Sequence, residues 1–61
     1  MGFTLQVMAE GHPMRVAVQQ VKGLWKAQAI ENPDVEVYAE TFNEAIEKAA
    51  YRFARTQDRV A

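Results

Sequence analysis

Cysteine and serine are both missing from the 61 residues. Without cysteine there is no disulfide and no thiolate zinc site. Without serine as well, the usual nucleophiles of covalent catalysis are gone. The single histidine, His12, cannot supply a typical metal cluster, and it stands in a turn beside Gly11 and Pro13, where an exposed loop residue is expected. No metal and no cofactor are therefore expected. The three glycines, Gly2, Gly11 and Gly23, are too scattered to cradle a phosphate. No apolar run approaches the ~18 residues that a bilayer requires. The opening stretch MGFTLQ has no basic region ahead of an apolar one, and Gln6 stands where a myristoylation motif needs Ser or Thr. These readings predict a cytoplasmic chain with no membrane partner and no enzymatic activity.

What is present is a pattern of short alternating segments followed by one helix. The length predicts a single domain over residues 1–61, one that buries only about 60% of its unfolded surface. Small domains of this kind usually gain stability from disulfides, metals or association. With the first two unavailable, a homo-oligomer is expected, a dimer in the simplest case. FTLQVMA sets Phe3, Leu5, Val7 and Ala9 against Thr4, Gln6 and Met8, the period of a half-buried strand. EGHP then marks a turn. MRVAVQQV repeats the alternation with Met14, Val16 and Val18 on one side. Lys22 and Gly23 fit a two-residue hairpin turn, with Gly23 supplying the positive φ. LWKAQAI places Trp25, Ala27 and Ala29 together, with Leu24 and Ile30 opposite. After the ENPD turn, VEVYA directs Val35, Val37 and Ala39 inward.

The helix is announced by its start. Thr41 and Glu44 have the spacing of a capping box, and Phe42, Ala45, Ile46, Ala49, Ala50, Phe53 and Ala54 follow the helical apolar period. The expected fold is α+β, a four-stranded antiparallel sheet in β-β-β-β-α order with one C-terminal helix across one face. That leaves Met8, Leu24, Ile30 and Tyr38 on the uncovered face, where an apolar side calls for a partner subunit.

Two charged groups stand out. Glu31, Asp34, Glu36, Glu40, Glu44 and Glu47 fall within one stretch that contains no basic residue, and an acidic surface of this kind can dock a basic protein. Lys48, Arg52, Arg55 and Arg59 recur at helical spacing. They complement the negative end of the helix dipole, and with Tyr51 they offer a possible nucleic-acid stripe. The net charge of −1 and the acidic half of the chain make nucleic acid the less favoured partner.

GLWKA, then Pro33, then TFNEAIEKA resembles the toxin-neutralising N-terminal domain of HicB-like antitoxins. Gly23, Trp25, Ala27, Pro33, Thr41, Glu44, Ala45 and Ala49 fall where that family has a glycine, an aromatic, a small residue, a proline turn and a T-x-x-E-A-x-x-x-A helix. Asp34, Ala39 and Glu40 stand where the family has glycine, glycine and aspartate. The resemblance implies a β-β-β-α protein-binding module that occludes a small toxin ribonuclease, without the family's C-terminal DNA-binding element. Two other classes stay open: a small phage-type inhibitor, such as an anti-CRISPR protein that blocks a nuclease complex, and a small RNA-binding module.

Overall fold

The computed structural model of the chain describes residues 2–59, with side chains as far as residue 56. Four strands form one antiparallel sheet in the order of the chain: β1 (Gly2–Ala9), β2 (His12–Val21), β3 (Leu24–Ala29) and β4 (Glu36–Ala39). The helix α1 (Phe42–Arg59) follows and lies across all four. This is the α+β fold of four antiparallel strands and one C-terminal helix that the alternation predicts, and the structure adds the strand order, a simple meander.

Both hairpins are set by two-residue turns. Glu10 and Gly11 have φ of 51° and 89°, and Lys22 and Gly23 have 53° and 82°. Positive φ at both central positions is the primed turn whose twist matches the flanking strands. The first turn is thus tighter than EGHP suggests, and His12 and Pro13 belong to β2, opposite Ala9 and Met8. A proline is tolerated there because of its side of the ladder. The Arg15 carbonyl accepts from the Ile30 N–H, so odd-numbered residues of β2 direct their backbone groups towards β3. Pro13 lies beyond the last β2–β3 pair, Val16 with Ala29, and its missing N–H costs no bond.

An alanine at Gly23 would have to hold a left-handed conformation, at about 1–2 kcal/mol. Gly23→Ala is therefore expected to lower the urea midpoint without changing the far-UV circular dichroism spectrum; an unchanged midpoint would contradict the turn assignment.

The helix-facing side of the sheet carries the core. Met14, Val16 and Val18 are fully buried at its centre, with Ala27, Ala29, Val37 and Ala39 beside them and Val35 just before β4. The helix answers with Ala45, Ala49 and Phe53. Alanine facing alanine lets helix and sheet approach closely, so a short chain closes its core with few large side chains. At the helix start, Phe42 packs edge-on to Trp25, ring centroids 5.4 Å apart, and lies 5.8 Å from Phe3. The Thr41 hydroxyl oxygen accepts from the Glu44 N–H at 3.2 Å, as a capping box requires. The return contact differs from expectation: the Glu44 carboxylate accepts from the Thr41 hydroxyl at 3.3 Å rather than from its backbone N–H.

Candidate functional site

The last strand of a meander has one open edge, and β4 is that strand. The Ala29 N–H donates to the Val35 carbonyl, which fixes the parity of the β3–β4 ladder. Val37 and Ala39 direct their backbone groups to β3, while Glu36 and Tyr38 direct theirs outwards. Next to this edge lies the flank of α1. Between them is a groove of about 590 Å³, lined by Glu36, Val37, Tyr38, Glu47, Lys48, Tyr51 and Arg52.

The composition of the groove is bipolar. Glu36 and Glu47 supply carboxylates, Lys48 and Arg52 supply cations, and two tyrosines stand at its walls, 46% and 56% exposed at Tyr38 and Tyr51. Tyrosine offers a rigid apolar face with a polar tip, the chemistry that anchors protein contacts. Tyr51 also carries the Arg55 guanidinium 4.6 Å from its ring centroid, which holds the ring at the helix surface. A second hollow of about 350 Å³ continues along the helix, lined by Asp34, Val35, Arg52, Arg55 and Thr56.

The acidic stretch and the basic stripe, separate in the sequence, thus meet in one place. Glu36 and Glu47 share the groove with Lys48 and Arg52; Asp34 shares the second hollow with Arg52 and Arg55. Glu40 and Glu44 lie at the helix entrance, and both are exposed. Arg59 closes the helix, and its side chain lies outside the described residues.

Two acids acquire partners that the sequence could not reveal. Glu31 pairs with Arg15 at 2.8 Å, and Glu36 pairs with Lys26 at 3.0 Å. The Arg15 side chain, then its backbone N–H, donates to Glu31 and holds that carboxyl below its ordinary value. The hydrogen bond and charge of Glu36 hold Lys26 above its own. By linkage, the first contribution is present above the ordinary glutamate value and is lost as pH falls. The second is present below the ordinary lysine value and is lost as pH rises. Exposed pairs of this kind add little to stability. What they do is remove Glu31 and, in part, Glu36 from any free acidic surface.

Met8, Leu24, Ile30 and Tyr38 all lie on the uncovered face and are exposed. They do not form one patch. The ladder places Met8 opposite Pro13, near Ile30 at one end, and Tyr38 opposite Lys26, near Leu24 at the other. Between them run Thr4, Gln6, Arg15, Gln19, Lys26, Gln28 and Glu36, which make the middle of this face polar. The sequence pattern gave the side correctly, but not the distance along it. The groove itself was invisible to pattern reading, because it needs β4 and α1 to be neighbours. The nearest signal was a tyrosine inside each charged run, Tyr38 in the acidic one and Tyr51 in the basic one.

No helix among the described residues is long and apolar enough to cross a membrane. No protein-family profile, curated protein or solved structure matches the chain.

Proposed function

We propose that this chain is a non-catalytic protein-binding module that captures a partner in the groove between β4 and α1. As the HicB-like resemblance implies, the partner is a small toxin ribonuclease whose basic surface is occluded. The observation that carries the reading is the bipolar groove with its two tyrosine walls beside an open strand edge. A nuclease must present cations to hold a phosphate backbone. Glu36 and Glu47 in the groove, with Glu40 and Glu44 exposed at the start of α1, offer carboxylates to the same cations. Lys48 and Arg52 fix the direction of docking, since a reversed segment would face like charge.

The test is charge reversal at positions that do not hold the fold. Glu40→Lys with Glu47→Lys spares the helix cap and both ion pairs. Against the protein co-purified with the tagged chain after ribonuclease treatment, the double variant is expected to bind at least about tenfold more slowly in low salt, since rim charges act on association rate. Its circular dichroism should stay native. Unchanged association would retire the acidic docking surface. Recovery of a multisubunit nuclease complex would favour the phage-type inhibitor, and RNA recovered without protein when the ribonuclease step is omitted would favour an RNA-binding module.

A further inference from the structure

The sheet has a second open edge, and it is built differently from β4. β1 runs for eight residues, pairs with β2 without a break in register, and contains no charged residue and no proline. Edges are usually guarded by charged side chains, proline, a bulge or a short length, because unpaired N–H and C=O groups recruit another strand. β4 has two of those guards, a length of four residues and the charge of Glu36. β1 has none.

We infer that β1 is the dimerisation edge, pairing antiparallel with β1 of a second copy to make one continuous eight-stranded sheet. Three features make the edge complementary to itself. The first is parity. Even-numbered residues of β2 direct their backbone groups to β1, so Phe3, Leu5 and Val7 are used by the hairpin while Gly2, Thr4, Gln6 and Met8 face outwards. A two-fold centred on Leu5 sets Thr4 against Gln6 and Gly2 against Met8, so all four outward residues exchange backbone bonds with the other copy.

The second is shape. On the uncovered face a hollow of about 240 Å³ opens around Gly2, Thr4, Ala17, Gln19, Lys26 and Gln28. Met8 is 63% exposed, the most exposed large apolar side chain of the described residues. The same register places the second copy's Met8 beside Gly2, at the mouth of that hollow. The third is the apolar row on the helix side. Phe3 is half exposed, and Leu5 and Val7 are only partly covered by the helix. The two-fold sets Phe3 against Val7 and Leu5 against Leu5, joining the two cores on one side of the sheet. With no charge on the strand, nothing repels.

The assembly leaves both β4–α1 grooves at the far ends of the sheet, so a dimer presents two partner sites facing apart. The dimer does not rest on what those grooves bind.

The test uses the full chain. Sedimentation equilibrium at micromolar concentration is expected to give twice the chain mass, and the Thr4 and Gln6 amides should exchange slowly although both point away from β2, the only strand that β1 pairs with among the described residues. Thr4→Lys with Gln6→Lys sets like charges opposite one another and should yield a folded monomer. Thr4→Glu with Gln6→Lys should restore the dimer, because only the Leu5-centred register sets position 4 against position 6. Thr4→Pro, which removes an outward N–H and no bond of the hairpin, should also be monomeric and covers the case in which a lysine variant fails to fold. A monomeric wild type overturns the inference. So does fast exchange at Thr4 and Gln6, or a dimer that persists in a folded Thr4→Pro or double-lysine variant.

Discussion

Phe53→Ala is expected to leave the domain largely unfolded at 25 °C. Phe53 is 3% exposed and is the one aromatic side chain among the buried residues of the described chain. The rest of the core is alanine, valine and Met14. Small side chains cannot collapse into the space a phenyl ring vacates, so the cavity term is close to its full size. Phe→Ala substitutions in cores cost about 3–5 kcal/mol. A chain of this length commands roughly 3–9 kcal/mol in total, at 0.05–0.15 kcal/mol per residue. The loss therefore consumes most of the margin. Urea denaturation at one fixed protein concentration reads it directly; concentration must be held because association adds to apparent stability. A loss below about 1 kcal/mol would mean that the helix is not seated on the sheet through this residue.

The second large effect concerns binding and leaves stability alone. Replacing Tyr38 and Tyr51 together with alanine is expected to weaken partner binding by about 100-fold or more, since truncating an anchor residue costs ~2 kcal/mol or more. Both rings are about half exposed in the isolated chain, so their removal opens no internal cavity. The urea midpoint should hardly move. Calorimetric titration with the co-purified protein separates the two readouts. A falling midpoint with unchanged affinity would make the tyrosines structural and remove the walls of the site. The effect should exceed that of Glu40→Lys with Glu47→Lys, because rim charges act chiefly on association rate.

Much of the fold was legible because each strand obeys the same rule. Phe3 to Ala9, Met14 to Val18, Trp25 to Ala29 and Val35 to Ala39 place their apolar residues two apart, and all of them face the helix. Thr41 and Glu44 marked the helix start to the residue. Local rules of this kind fail at junctions, as at His12 and Pro13. Gly-His-Pro reads as a turn, yet the primed turn needs only Glu10 and Gly11, and ladder parity makes the proline harmless. The charged surface was less legible for a related reason. Glu31 and Glu36 sit in a run without cations, but Arg15 and Lys26 reach them from neighbouring strands. Sequence distance conceals such pairs. It also conceals grooves, which belong to two elements at once.

The difference between the two edges supplies a division of labour. The short charged β4 sits beside side chains that can discriminate a partner, while the long uncharged β1 offers backbone and little else. A strand without charge has few side chains with which to select among partners. On the reading proposed above, pairing with a second copy falls to β1 and specific capture to β4 and α1.

The most direct measurement of that claim is site-specific photo-crosslinking inside the cells that make the protein. A photoreactive phenylalanine analogue at position 51 samples the groove, and the same group at position 17 samples the middle of the uncovered sheet face. The expected result is a covalent adduct with one discrete, different protein from position 51 and no such adduct from position 17, where only the second copy of the chain lies within reach. An adduct with a different protein from position 17 alone, or an adduct from position 51 made only of RNA, would contradict the groove as the capture site.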